Sequence, residues 1–174
     1  MKKFLFYLLS MALAFSTLGC AQRKAVEPGI LVSTDWLQSQ LNDPKVLILH
    51  VGTEEGYDTL HIPGARLILP GDFVVSNDSM RNELPAMDSI VNLLRKAGVN
   101  KDSRIVLCTE SARLVSRTAR VFLSLKHAGL AGQSHVLNGG SPAWAEEGRE
   151  ISAEASVLPP GNVEALAPVE VVMS

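Results

Sequence analysis

Apolar residues in the middle of the chain fall into short continuous runs, with polar segments of helical spacing between them. Residues 45–51 read KVLILHV and residues 104–107 read RIVL. Such uninterrupted runs are typical of parallel strands that are buried on both faces. Shorter apolar runs at residues 30–32, 66–69 and 134–137 bring the number of predicted strands to about five.

Amphipathic segments lie between these runs. Ser33 or Thr34 is a predicted helix cap, residues 84–98 carry apolar side chains at helical spacing up to a terminal glycine, and residues 115–127 form a longer amphipathic stretch. A final helix is predicted to start at Ser141, where a proline follows. Strands that alternate with helices predict a three-layer α/β/α fold with a central parallel sheet of about five strands.

The first twenty residues resemble a bacterial lipoprotein signal. Lys2 and Lys3 precede an apolar run that is too short for a comfortable membrane span, and a glycine stands directly before Cys20. Thr17 stands three residues before Cys20, where bacterial lipoprotein signals usually have a leucine. The resemblance implies that Cys20 is acylated and holds the domain on a membrane of the bacterial cell envelope, facing the periplasm or the exterior. The alternatives for these residues are a plain secretory signal, an uncleaved membrane anchor, or a signal in which Cys20 is only a small apolar residue.

Composition narrows the class of function. The chain has 174 residues and a net charge of -2, with 47% hydrophobic and 20% charged residues, which is an ordinary globular balance. The sequence has no basic stripe with interleaved aromatic residues, so a nucleic-acid partner is not predicted. The two cysteines exclude a disulfide framework and a thiolate zinc site, and the scattered histidines have no metal-ligand spacing. We therefore expect neither a metal nor a cofactor.

Two motifs resemble one family. Residues 61–65 read HIPGA, and residues 137–148 contain a GG-x-x-x-W-x-x-x-G pattern. Between them, Cys108 follows an apolar run, where rhodanese-like domains of the thiosulfate and mercaptopyruvate sulfurtransferase family have a strand that ends at the active-site cysteine. The chain is thereby identified as rhodanese-like over about residues 30–152, and the resemblance implies an open α/β sheet with the cysteine loop at the carboxyl end of a central strand.

Composition predicts the segments on either side of this domain, and the resemblance implies a reaction. Residues 1–20 are the signal, residues 21–29 a tether, and residues 153–174 a flexible tail that is interpreted as the remnant of a linker to a second domain. The Cys108 thiolate would attack the sulfane sulfur of a small anionic donor such as thiosulfate. A thiol or cyanide acceptor would then remove the sulfur from the Cys108 persulfide.

The loop after the predicted strand is expected to bind the donor. Main-chain amides and a helix start would stabilise the thiolate, because a free cysteine is mostly protonated at neutral pH. Arg113 would hold the anionic oxygens of the donor, and Thr109 and Ser111 would donate hydrogen bonds.

Two later arginines are further candidates for the anion-binding role. The stretch after Cys108 is about one helical turn longer than in the family, so Arg117 or Arg120 could take the place of Arg113.

Several features depart from the family pattern. Glu110 adds a negative charge to a loop that is meant to hold an anion, and no glycine lies between Cys108 and Arg113. His50 begins the His-Val-Gly that stands where the family has Asp-Val-Arg. Three alternatives therefore stay open. Cys108 is only a small buried apolar residue, or it forms a disulfide with Cys20, or the domain is a catalytically inactive binding module. A cysteine phosphatase is disfavoured because no histidine precedes Cys108.

Overall fold

The computed structural model of the chain describes residues 28–78, 81–156 and 159–165. The predicted signal with Cys20, most of the predicted tether and the end of the predicted tail lie outside these ranges. Within the described ranges, no helix combines the length and the apolar character that are needed to cross a membrane.

Five strands form a single sheet in which every neighbouring pair is parallel. They are β1 (Leu31–Val32), β2 (Val46–Val51), β3 (Arg66–Ile68), β4 (Arg104–Thr109) and β5 (Ser134–Leu137). Their order across the sheet is β1-β5-β4-β2-β3, so that β4 is the central strand. The predicted five-stranded parallel sheet is confirmed, and each strand lies within two residues of its predicted bounds.

Helices cover both faces of the sheet, which confirms the predicted three-layer arrangement. They are α1 (Thr34–Gln40), α2 (Glu54–Thr59), α3 (Met87–Lys96), α4 (Val115–His127) and α5 (Gly140–Glu146). Short 3-10 turns cover Pro70–Phe73, Ala112–Leu114 and Ala131–Gln133.

The side chains of β2 and β4 alternate between two apolar clusters. On one face, Leu49 and Leu107 pack with the buried side chains of α3 and α4. On the other face, Val106 and Cys108 pack with Leu37 of α1 and Trp144 of α5. Both faces are apolar because both are covered by helices, and each fully buried aliphatic side chain contributes roughly 1.5–3 kcal/mol.

Helix α2 was not predicted from the apolar pattern. It has only six residues, contains Gly56, and buries Tyr57 as its one buried side chain. The helix begins after Thr53, whose hydroxyl oxygen accepts a hydrogen bond from the Gly56 amide at 3.0 Å. So short an element owes its stability to the cap and to packing on the sheet rather than to helical propensity.

Part of the predicted flexible tail belongs to the packed domain. Val163 is 1% exposed and lies in the same apolar cluster as the buried residues of α3. The Gly161 amide donates to the Arg95 carbonyl at 2.8 Å, and the Val163 amide donates to the Val99 carbonyl at 3.1 Å. One buried valine and a few paired backbone groups hold residues 159–165 in place. The pattern of apolar residues in the sequence does not predict such contacts.

Candidate active site at the carboxyl edge of the sheet

Cys108 lies inside the apolar interior and not in the loop where the sequence predicted it. The predicted strand ended at Leu107, whereas β4 continues to Thr109, which pairs with Val51 of β2. Cys108 therefore keeps the alternation of the strand and packs beside Val106 and Trp144. Its side chain is 0% exposed, and among the described residues no donor is hydrogen-bonded to its sulfur. The expected ring of main-chain amides around the sulfur is thus absent from this part of the chain as the structure describes it.

This environment favours the neutral thiol. Burial raises the pKa of the Cys108 thiol far above its usual range, because the apolar surroundings disfavour the charged form. In the arrangement described here, Cys108 is therefore a protonated core side chain, and reaction with a sulfur donor requires the site to open.

The raised pKa of Cys108 predicts how stability depends on pH. Above about pH 8.5 an unfolded cysteine loses its proton while the folded one keeps it. The contribution of the buried, protonated Cys108 thiol to the free energy of unfolding is therefore present in full below about pH 8.5. This contribution is lost as the pH rises further, by at most about 1.4 kcal/mol per pH unit. Urea unfolding at neutral and at alkaline pH measures it, and Cys108→Ala should show a shallower alkaline decline. Equal declines in the two proteins would show that the thiol ionises normally.

The predicted donor-binding residues differ in burial and in hydrogen bonding. Thr109 is buried, and its hydroxyl donates to the Ser111 carbonyl at 2.9 Å, so it is not free to donate to a ligand. Arg113, within the turn Ala112–Leu114, and Arg117, in the first turn of α4, are exposed. The donor-binding roles of Thr109, Ser111, Arg113 and Arg117 therefore stay predictions.

Two cavities flank the start of α4. An apolar cavity of about 320 Å³ lies between the start of α4 and the start of α5, and Thr109, Val115 and Leu137 are among its lining residues. A more polar cavity of about 580 Å³ lies on the other side, and Arg117 and Arg120 line it. The second cavity therefore has the cationic character that an anionic ligand requires.

Glu110 is inserted into the site from the loop after β4. Its Oε2 accepts a hydrogen bond from the Thr53 amide at 2.6 Å and another from the Thr53 hydroxyl at 3.0 Å. The Glu110 side chain is 23% exposed. We call this contact between Glu110 and Thr53 the carboxylate clamp. It ties the residue that follows β4 to the start of α2, next to the carboxyl end of β2.

Two glycines make room for the clamp. A Cβ atom at Gly52 would collide with the carboxylate oxygen of Glu110, and one at Gly56 would collide with the carboxylate carbon. Glycine at these positions allows the carboxylate to approach the backbone closely. The His-Val-Gly sequence at the end of β2 and the negative charge in the loop, which looked like two separate departures from the family pattern, are therefore parts of one local arrangement.

His50 lies directly beside Cys108. The two residues are register partners in the parallel pairing of β2 with β4, and both side chains are wholly buried. The Nδ1 atom of His50 lies 3.4 Å from the Ser141 hydroxyl oxygen, and the Nε2 atom lies 3.8 Å from Glu110 Oε2. Burial lowers the pKa of His50 below its usual value, although the Glu110 carboxylate opposes the shift, so the imidazole is neutral at neutral pH.

The histidine of the HIPGA turn makes structural contacts. His61 is buried, stacks on Tyr57 at 3.9 Å between ring centroids, and has both ring nitrogens within hydrogen-bonding distance of carbonyl oxygens. No group of three or more potential metal-ligating side chains occurs in the ranges that the structure covers.

Sequence reasoning did not recognise His50, Thr53 and Ser141 as parts of the site. A usable signal existed for His50, because KVLILHV and RIVLC are both buried strands, and neighbouring parallel strands end at the same edge of a sheet. Thr53 and Ser141 carry no comparable signal, since each is also an ordinary residue for a helix start.

The fold, the HIPGA turn and the glycine pair at the start of α5 together define a rhodanese-like domain. The Rhodanese-like domain family model matches residues 33–147, and the chain belongs to this family. The predicted family is thereby confirmed.

Curated relatives carry sulfur-transfer names. The chain is 35% identical over 139 residues to the sulfur carrier protein TtuD of Thermus thermophilus, covering 79% of this chain and 47% of that protein. It is 29% identical over 143 residues to a putative thiosulfate sulfurtransferase of Mycolicibacterium smegmatis, covering 80% of this chain and 49% of that protein. The chain thus spans about half the length of these curated relatives.

A solved structure shows the same fold. SseA from Escherichia coli, described with the rhodanese fold of 3-mercaptopyruvate sulfotransferases, superimposes with a TM-score of 0.70 at 24% sequence identity. The match covers 82% of this chain and 57% of that chain. The similarity establishes the architecture and leaves the chemistry to be argued from the residues of this chain.

Proposed function

We propose that this protein is a sulfurtransferase that moves a sulfane sulfur from thiosulfate or a similar donor, through a Cys108 persulfide, to a thiol or cyanide acceptor. The observation that carries the proposal is the position of Cys108. It is the one cysteine among the described residues, and it stands at the carboxyl end of the central strand β4. Open parallel sheets bind their ligands at this edge.

The proposal requires the loop after Cys108 to move. Thiosulfate cannot reach a sulfur that is 0% exposed, so the carboxylate clamp has to open first. The two arginines that line the polar cavity beside α4, Arg117 and Arg120, and the exposed Arg113 would then attract the anionic donor. The sulfur-related names of the curated relatives support this class of reaction.

Intact-mass measurement tests the transfer. The purified full-length chain should gain the mass of one sulfur atom when it is incubated with thiosulfate, and added cyanide should remove that mass. Cys108→Ser should gain nothing, because the persulfide needs the thiol. The wild-type protein without an adduct, or Cys108→Ser with an equal adduct, would contradict the proposal.

A catalytically inactive rhodanese-like module is the second candidate. The complete burial of Cys108 favours it, and so does the carboxylate that sits in a loop expected to hold an anion. In that case Cys108 is a small core residue, and the loop surface with Arg113 binds a partner. The mass experiment separates the two candidates, since only the first allows sulfur to be added at position 108.

We further propose that the protein is exported and anchored to a membrane of the bacterial envelope through acylated Cys20. The support is the charged start, the short apolar run and the cysteine after a glycine. Several acyl chains at about 0.8 kcal/mol per buried methylene hold a protein firmly on a bilayer. Expressed in a bacterium, the chain should be recovered in the membrane fraction and carry radiolabelled fatty acid, and Cys20→Ser should lose the label. An unlabelled wild-type chain would contradict the anchor.

A further inference from the structure

We propose that His50 makes the carboxylate clamp an acid-sensitive latch. A proton taken up by the His50 imidazole favours an open arrangement, in which Glu110 has left Thr53 and Cys108 can be reached. The use of this latch to the protein rests on the proposed sulfur transfer, although the latch itself can be measured without it. Its basis is a buried, unpaired ring nitrogen that lies next to the clamp.

The first observation is the position of this nitrogen. His50 is 0% exposed, and among the described residues its Nε2 atom has no hydrogen-bond partner. Glu110 Oε2 lies 3.8 Å from Nε2, which is too far for a hydrogen bond. A Cβ atom at Gly52 would collide with both Nε2 and that carboxylate oxygen. The imidazole nitrogen and the carboxylate therefore share one small space beside the Gly52 backbone.

The second observation is that the clamp belongs to the surface, whereas the imidazole does not. The Glu110 side chain is 23% exposed and the His50 side chain is wholly buried. The carboxylate is held where it lies by the amide and the hydroxyl of Thr53. When the carboxylate leaves Thr53, the space beside Nε2 becomes open to water, which can then hydrate the ring nitrogen.

The remaining groups around the ring do little to stabilise a positive charge on it. His61, which follows α2, opposes protonation of His50, and the ring of Tyr57 in α2 is T-shaped to the imidazole at 5.6 Å between centroids. Cys108, the register partner of His50 in β4, is a neutral thiol. Among the described residues, Glu110 is the one anion placed against the ring, and its oxygen already accepts two hydrogen bonds.

These contacts set the direction of the response. Burial outweighs the attraction of the Glu110 carboxylate, so the pKa of His50 lies below its usual value in the closed arrangement. In the open arrangement the hydrated imidazole titrates near its ordinary pKa of about 6.5. The open form therefore binds the proton more tightly, and its population grows as the pH falls through about 6.5.

Hydrogen exchange of the Thr53 amide measures the latch, because this amide donates to Glu110 only while the clamp is closed. In the full-length chain, its exchange rate relative to that of an unstructured peptide should rise by up to about tenfold from about pH 7.5 to about pH 5.5. His50→Asn should remove this rise, since asparagine does not titrate. His127→Asn, a change at the end of α4, should keep it.

A further variant separates the imidazole from the carboxylate. Glu110→Gln does not titrate, but its amide oxygen can still accept a hydrogen bond from the Thr53 amide, so the acid response should persist. A response that disappears in Glu110→Gln would belong to the carboxylate and would overturn the role of His50. His50→Gln replaces His50→Asn should the latter not fold. In the wild type, a relative exchange rate of Thr53 that is constant or falls on acidification would overturn the latch without any variant.

Low concentrations of urea separate opening of the clamp from unfolding of the domain. Below the unfolding transition, exchange of the Thr53 amide through a local opening should be nearly independent of urea. Exchange through global unfolding accelerates with urea, because unfolding exposes a large surface. A Thr53 exchange rate that follows global unfolding at pH values on both sides of about 6.5 would show that no separate latch exists.

Labelling of Cys108 connects the latch to access. Dithiodipyridine reacts with thiols at acidic pH, and its rate at Cys108, divided by its rate with glutathione at the same pH, should rise on acidification together with the exchange of Thr53. Exchange that rises without a rise in labelling would overturn the control of access. If thiosulfate adds no sulfur but both rises depend on His50, the proposed transfer fails and the latch stands. If sulfur is added and neither rise depends on His50, the latch fails and the transfer stands.

Discussion

Glu110→Ala should raise the rate at which Cys108 reacts with a neutral thiol reagent by one to two orders of magnitude. The substitution removes both hydrogen bonds from Thr53 to the carboxylate, which hold the loop after β4 against the start of α2. Net contributions of about 1.5–3 kcal/mol are typical of hydrogen bonds to charged groups, and the partial exposure of Glu110 places the clamp at the low end. Each 1.4 kcal/mol lost multiplies the open population about tenfold. The measurement is the rate at which a neutral alkylating reagent labels Cys108 in the wild type and in Glu110→Ala.

A glycine substitution provides the matched comparison. Gly56→Ala leaves the carboxylate in the chain but puts a methyl group where it lies, so the carboxylate should be displaced and Cys108 should again react faster. In the Glu110→Ala background, Gly56→Ala should have little further effect, since nothing remains to be displaced. Glu110→Ala with the slow labelling of the wild type would show that this clamp does not control access to the sulfur. Additive effects of the two changes would show that they act at separate places.

Trp144→Ala should destabilise the domain by about 3–5 kcal/mol, the usual range for removing a large aromatic side chain from a core. Trp144 is 1% exposed, packs in the same cluster as Cys108, and donates a hydrogen bond from Nε1 to the Glu150 carbonyl at 2.7 Å. Its truncation leaves a cavity and an unpaired carbonyl at once. Urea unfolding at neutral pH measures the loss.

Trp36→Ala is the control for Trp144→Ala. Trp36 in α1 is only half-buried and packs at the edge of the same cluster, with its ring 5.5 Å from that of His135. Its truncation should cost clearly less, because much of its surface is already hydrated. Equal losses for the two tryptophans would contradict the deeper burial of Trp144 as the cause of the larger effect.

The elements of the fold were largely predictable because their signals are local. A run such as residues 45–51 is apolar at every position only if both faces of a strand are covered, and Ser141 with its following proline predicts a helix start. Helix α2 and the packing of Val163 were not predictable in this way. Both depend on contacts with distant residues, and a short segment with one buried side chain has no periodicity to detect.

For the site, the order of residues was enough to predict a cysteine at the end of the central strand of a rhodanese-like sheet, with a glutamate in the loop that follows. The direction in which the sulfur points became known only from the packing of the strands. Two further residues of pairing with β2 keep Cys108 in the alternation of β4 and turn it inward, towards Trp144. The same pairing sets His50 beside it and brings Glu110 onto Thr53, fifty-seven positions away in the chain. These features could not be predicted because a strand's last hydrogen bonds depend on its neighbour, and successive side chains of a strand point to opposite faces of the sheet.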